Sequence, residues 1–232
     1  MSDIVFLSGF MCDSHLWDRV APGLEADFRL HFGDLTRDRT FEGMAERVLA
    51  AAPRTFSLVG FSMGGFVARE IALKAPERVE RLALLNTSAR GDDPEQARRK
   101  AGLARAAETR GFRGLSRHSI LSSLHPDRRG DEEIVASIRE MADRIGREGF
   151  VNQIGVVRQD GHGELSRITC PALVVWCRQD ELRSLEEAQE LADGIPGAEL
   201  RIVENCGHML PLEAPGETVS LLRNWLSSSV AA

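Results

Sequence analysis

The chain has 232 residues, 43% of them hydrophobic and 28% charged, with a formal net charge of −6. That suits one large domain, or a domain carrying an insertion, with enough apolar residues for a full core. The acidic balance argues against nucleic acid or an anionic membrane as partner, and no apolar run approaches the ~18 residues of a membrane span.

The N-terminus passes straight into a strand-like run, residues 4–7, without a basic segment or cleavage site, so a cytoplasmic location is expected. Ser14 is placed to cap a helix over 14–24, with Leu16, Trp17 and Val20 on one face. Residues 28–32 alternate as a second strand, and a helix over 41–51 ends at Pro53. A third apolar run, 56–59, leads into Gly60-Phe61-Ser62-Met63-Gly64, and a helical pattern over 63–74 comes next. Strand, G-x-S-x-G turn, helix is the context of a nucleophile elbow, in which a sharp turn lifts a serine hydroxyl clear of the sheet. Glycines at 60 and 64 let strand and helix approach closely. A fourth strand covers 82–85. Strand and helix thus alternate in a way that predicts a parallel sheet with helices on both faces.

From about 91 to 161 the texture changes. Helical patterns over 94–109, 112–121, 131–145 and 149–159 succeed one another with no β-branched apolar run between them. Leu103, Leu115, Ile120, Leu121, Leu124, Ile134, Ile138, Met141 and Ile145 are its candidate buried positions. This reads as an all-helical insertion, residues 91–161, in a core made of 1–90 and 162–232. Alternation then resumes with a strand over 172–176, a helix over 184–192, a strand over 200–203 and a closing helix over 214–226. The small, polar tail 227–232 is expected to fray.

Ligands of open parallel sheets sit beyond the carboxyl ends of the strands, so the residues just past each strand are diagnostic. Ser62 comes after the third strand, Asp180 after the strand 172–176, and His208 after the strand 200–203. A serine hydroxyl needs a base to act as nucleophile at neutral pH, and histidine can take and return that proton. A carboxylate on the other ring nitrogen fixes the tautomer. Ser62, His208 and Asp180 are therefore the candidate nucleophile, base and orienting acid. Glu181 and Glu204 are alternative acids, and His15, His31, His118, His125 and His162 are weaker candidates for the base. His162 with Asp160 and Glu164 fits a solvated loop better than a metal site, and there is no H-E-x-x-H. Cys12, Cys170, Cys177 and Cys206 form no C-x-x-C and read as free thiols. Acyl transfer also needs donors for the developing oxyanion. The backbone N–H of Met63, at the start of the elbow helix, and that of Phe10, after the turn at Gly9, are the candidates. Met11, Leu124, Met141, Ile145 and Met209 are candidate substrate contacts, although their residue types fit a pocket wall and a helical core equally.

With these segments in hand the chain resembles a small member of the α/β-hydrolase superfamily. The likeness rests on Leu7-Ser-Gly-Phe10, Gly60-Phe-Ser-Met-Gly-Gly65, the stretch from Ala75 to Leu82, Gln179-Asp180, and the stretch from Gly207 to Pro215. It implies the α/β-hydrolase fold, here a mostly parallel sheet of about six strands beginning at the family's third, with helices on both faces and an inserted all-helical cap. It also implies cofactor-free hydrolysis through an acyl-enzyme, with a small-molecule ester as the partner. Ser8 stands where many members have histidine, and Cys177 where glycine is usual. Serine rather than aspartate at 62 argues against epoxide hydrolase and haloalkane dehalogenase chemistry. The leading expectation is a carboxylesterase for small to medium, largely apolar esters. A C–C bond hydrolase or lyase, a thioesterase and a slow-turnover ligand sensor are the alternatives.

Overall fold

The computed structural model describes residues 1–228. β1 (Ser2–Leu7), β2 (Phe28–Gly33), β3 (Phe56–Phe61), β4 (Val79–Leu85), β5 (Ala172–Cys177) and β6 (Glu199–Val203) form one sheet in the order β2-β1-β3-β4-β5-β6. Every neighbouring pair is parallel. The chain builds outward from β1 to β2 and then returns to the other side of β1 as β3. That reversal leaves a crevice beyond the carboxyl ends of β1 and β3, the usual ligand position in such sheets.

The helices are α1 (Phe41–Ala51), α2 (Met63–Lys74), α3 (Pro94–Arg110), α4 (Arg117–Leu121), α5 (Glu132–Ile154), α6 (Leu185–Gly194), α7 (Leu210–Glu213) and α8 (Pro215–Ser227). They bury both faces of the sheet, which is why β5 is apolar throughout, and β4 from Leu82 to Leu85, rather than alternating. Along β5, Leu173, Val175 and Cys177 join one core, which includes Leu222 and Trp225 of α8 and Ile138 of α5. Ala172, Val174 and Trp176 join the opposite core, with Met44 of α1, Val67 and Ile71 of α2, and Leu191 of α6.

The packing of α2 against the strand ends is tight enough to demand glycine. A Cβ on Gly60 would lie 2.7 Å from the Ala68 Cβ and 2.7 Å from the Gly64 carbonyl oxygen, and one on Gly64 would overlap the backbone carbonyl of Leu7. A backbone group in the sheet cannot swing aside as a side chain can. Gly64→Ala is therefore expected to cost about 3 kcal/mol, read as a lower urea midpoint. Gly163→Ala is the control, because none of the described residues lies within 4 Å of a Cβ there.

Every element between β4 and β5 is helical, and the ends of this segment are stitched together. The Gly161 N–H donates to the Ala89 carbonyl at 2.9 Å, and the Asp92 N–H to the Arg158 carbonyl at 3.0 Å. Several element boundaries depart from those expected. The helix over 14–24 is replaced by two short 3-10 turns, Ser14–Trp17 and Ala21–Gly23. Pro22 and Gly23 stop propagation, and Asp13 rather than Ser14 is the cap, accepting from the His15 N–H at 3.0 Å. The helix over 112–121 shrinks to α4, because Gly111 and Gly114 take φ of 86° and 82°. The helices over 131–145 and 149–159 form a single α5, kinked at Gly146 where φ is 64°. Of the expected tail, Ser227 closes α8, and residues 229–232 lie outside the described residues.

Candidate active site

Ser62 joins β3 to α2 with φ 51° and ψ −114°, a conformation that L-residues rarely adopt. Such strain persists only where surrounding bonds over-determine the backbone. Here the Ser62 N–H donates to the Leu85 carbonyl at 2.9 Å, and the Ser62 carbonyl accepts from the Thr87 hydroxyl at 2.7 Å and from the Gly65 N–H at 3.0 Å. The end of β4 thus clamps the turn, and the serine hydroxyl is left to project from it.

That hydroxyl lies 2.8 Å from Nε2 of His208, and Nδ1 of His208 lies 2.7 Å from Oδ2 of Asp180. A carboxylate can only accept, so the shared proton belongs on Nδ1, and Nε2 is free to accept from Ser62. The other carboxylate oxygen, Oδ1, accepts from the backbone N–H groups of Leu182 at 2.7 Å and Arg183 at 3.0 Å. The side chain of Asp180 is fully enclosed and that of His208 is 7% exposed. Phe61 packs beside the imidazole with ring centroids 5.1 Å apart. The three side chains that lie just past β3, β5 and β6 are thereby brought into one hydrogen-bonded line.

The elements that hold this line were not foreseen. Asn86, at φ 46° just past β4, accepts from the Cys177 N–H at 3.0 Å and donates to the His208 carbonyl at 2.8 Å. It ties the end of β5 to the loop after β6. The buried Glu213 accepts from the Met209 N–H at 3.0 Å and the His125 N–H at 2.7 Å, and burial pushes its carboxyl above the ordinary glutamate range. The His208 backbone N–H donates to the Ser123 carbonyl at 2.9 Å, so the segment between β4 and β5 braces the histidine. Asn86→Ala would strand the buried Cys177 N–H and take one of two donors from the His208 carbonyl, which keeps the Leu210 N–H at 2.9 Å; an expected loss of about 2 kcal/mol is measurable by urea denaturation.

Gly9 to Cys12 forms a tight turn, closed by the Cys12 N–H donating to the Gly9 carbonyl at 3.1 Å, with Met11 at φ 55°. A Cβ on Gly9 would fall 3.3 Å from the Ser62 Cβ, which puts the turn directly against the serine. The Met11 N–H is taken by Oε1 of Gln153 at 2.8 Å, while Nε2 of the same buried side chain donates to the Leu35 carbonyl at 3.2 Å. The N–H groups of Phe10 and Met63 are bonded to no described residue. Ser8, in place of the family's frequent histidine, donates to the Asp13 carbonyl at 2.8 Å and accepts from the Trp17 indole at 3.0 Å.

A cavity of about 1220 Å³ stands over Ser62 and His208. Its apolar wall includes Phe10 after β1, Phe41 of α1, Phe61 of β3, Phe66 of α2, and Phe112 and Phe150 from the segment between β4 and β5. Met209 lines it, as does the 46%-exposed Leu103, which was expected to be buried. Met11, Leu124 and Met141 are not on its wall; they are fully enclosed in the packing beneath, where an apolar side chain is better covered. Ile145 faces a separate small groove with Thr36 and Gly149.

The alternative acids and bases are engaged elsewhere. Glu181 pairs with Arg129 at 2.7 Å and Glu204 with Arg178 at 2.8 Å. His31 bonds Asp3 at 2.7 Å and His15 bonds Asp13 at 3.1 Å. His125 accepts from the Asp127 N–H at 3.1 Å, and His118 is exposed at the cavity mouth. His162 lies between Asp160 at 2.6 Å and Glu190 at 3.1 Å, and these carboxylates hold its pKa above the usual histidine value. Among the described residues no group of three or more His, Cys, Asp or Glu could hold a metal ion, all four cysteines are free, and no helix is long and apolar enough to cross a membrane.

Known proteins resemble this chain in sequence and fold. A pimeloyl-[acyl-carrier protein] methyl ester esterase of Nitrosomonas europaea is 28% identical over 240 residues, 94% of this chain and 93% of the relative. A monoacylglycerol lipase of Xenopus laevis is 26% identical over 98% of this chain and 76% of its own length. A solved thermophilic esterase from Thermogutta terrifontis superposes with a TM-score of 0.86 at 26% identity, covering 97% of this chain and 89% of the other. The model of the alpha/beta hydrolase family matches residues 4–221. Sheet order, helices on both faces and this match agree, and the chain belongs to the alpha/beta hydrolase family.

Proposed function

We propose that the protein is a carboxylesterase that cleaves small to medium, largely apolar esters through an acyl-enzyme on Ser62. The observation that carries this reading is the line from Ser62 Oγ to His208 Nε2 at 2.8 Å and from Nδ1 to Asp180 at 2.7 Å, under an aromatic-walled cavity. The esterase and lipase activities named for these relatives support it.

In this mechanism Ser62 Oγ adds to the ester carbonyl while His208 Nε2 takes its proton. The carbonyl π pair moves onto oxygen, where the N–H groups of Phe10 and Met63 receive the oxyanion. Collapse expels the alcohol oxygen, which leaves with the proton from His208, and the acyl group stays on Ser62. Water then adds with His208 again as base, the carboxylic acid departs, and the proton returns to Ser62. Asp180 stays ionised throughout, holding the tautomer and stabilising the imidazolium. Residues 91–161 act as a cap that roofs the site and selects acyl length, with Met209 in contact with the substrate.

A panel of 4-nitrophenyl esters of increasing acyl length tests this. Turnover by the purified protein is expected, and no turnover by Ser62→Ala. Absence of turnover across the panel overturns the reading.

A further inference from the structure

In a chain with a net charge of −6, the cavity over Ser62 is lined, among the described residues, by six cations, Arg99, Lys100, Arg110, Arg113, Arg158 and Arg183, and by no aspartate or glutamate. These fall into two groups. Arg99, Arg110 and Arg113 are exposed at the mouth and form no ion pair with a described residue. Lys100, Arg158 and Arg183 lie deeper, and two carboxylates stand behind them. Asp92 takes Lys100 at 2.6 Å and Arg158 at 3.2 Å, and Glu187 takes Arg183 at 3.3 Å. Three cations share two anions, and among the described residues the buried Nε of Arg183 has no hydrogen-bond acceptor.

The deep group has a defined position relative to the chemistry. The guanidinium carbons of Arg158 and Arg183 lie 5.3 and 5.8 Å from the centre of the Phe66 ring. Phe66 is four residues beyond Ser62 on α2, about one helical turn or ~6 Å along the axis. Arg183 is also anchored through its own backbone, because its N–H is one of the two that hold Asp180. Burial, with Arg183 nearby, depresses the Arg158 guanidinium pKa from its ordinary value. An anion entering here would find charge already desolvated and incompletely balanced, which strengthens a charge-assisted bond.

We propose that the preferred esters carry a carboxylate at the end remote from the scissile bond, seated against Arg158 and Arg183 while the ester carbonyl lies at Ser62. The inference rests on the esterase reading. Arg99, Arg110 and Arg113 draw the anion to the mouth, and the phenylalanine wall accommodates the apolar chain that joins its two ends.

The test uses two pairs of substrates. One pair is the 4-nitrophenyl hemi-esters of linear dicarboxylic acids from adipic to suberic, each against the same acid with its far carboxyl as the primary amide. The other is the butyrate esters of ω-hydroxy acids against their amides. In at least one pair the wild type is expected to favour the carboxylate by about 10-fold in kcat/KM, with the preference shrinking as salt is raised. Arg183→Gln or Arg158→Gln should pull the ratio towards one, and Arg183→Glu should turn it in favour of the amide. Ratios at or below one in both pairs overturn the inference while leaving the esterase reading intact. A ratio unchanged in folded Arg183→Gln and Arg158→Gln overturns it as well. Turnover of neither member of any pair removes the reading beneath it. The wild-type ratio and its salt dependence decide the matter even if no variant folds.

Discussion

Ser62→Ala is expected to lower kcat by about 10⁶-fold while leaving the fold in place. The substitution deletes one buried oxygen whose hydrogen-bond partner, His208, keeps its bond to Asp180. The clamps on the turn are all backbone bonds to residue 62, from Leu85, Thr87 and Gly65, and alanine retains every one of them. Thermal unfolding should therefore stay close to that of the wild type. Loss of turnover without loss of stability is what separates a nucleophile from a structural serine. Stopped-flow mixing with an activated ester adds a second readout, since the initial burst of nitrophenol should vanish with the hydroxyl.

Asp180→Asn is expected to reduce kcat by about 10⁴-fold, and the surrounding bonds explain why so small a change matters. Oδ1 of Asp180 faces two N–H donors, from Leu182 and Arg183, so the amide oxygen of asparagine must take that position. Its NH₂ group then points at Nδ1 of His208 and requires that nitrogen to accept. The ring proton moves to Nε2, which can no longer take the proton of Ser62. Steady-state kinetics should show the fall mainly in kcat, because Asp180 lies behind the imidazole and is shielded from the cavity. Asp180→Ala removes the wrong donor along with the right acceptor. It should retain more turnover than the asparagine variant if the tautomer is the cause.

Much of this site could be read from the chain itself. Apolar runs with no alternation announced the strands β3, β4 and β5, buried on both faces. The glycines around Ser62 announced a close approach of strand and helix, and Asp180 and His208, which the structure brings into hydrogen-bond reach of one another and of Ser62, were singled out by asking where each strand leads. Other features left no such trace. Asn86 and Gln153 are buried polar residues whose partners are distant in the chain, so neither periodicity nor a short motif marks them; Glu213 lies within the Gly207–Pro215 stretch, but its bond to the His125 N–H, 88 residues away, leaves no mark there. Gln153 lies in what read as ordinary helix, yet it fixes the turn at Met11. The apolar residues of the insertion were recognisable as a class. Residue type alone could not divide Leu103, on the cavity wall, from Leu124 and Met141, which are enclosed beneath it. Gly111 and Gly114 end a helical pattern by backbone conformation alone, and composition does not reveal which glycines will do so.

The most direct test of the central claim is peptide mapping after treatment with an alkyl phosphonate ester that carries a good leaving group. One phosphonyl group per chain, located on the peptide containing Ser62, appearing in step with loss of ester turnover and failing to form in His208→Ala, is the predicted result. Full turnover persisting in protein labelled at Ser62, or inactivation with the label on another residue, would contradict the account.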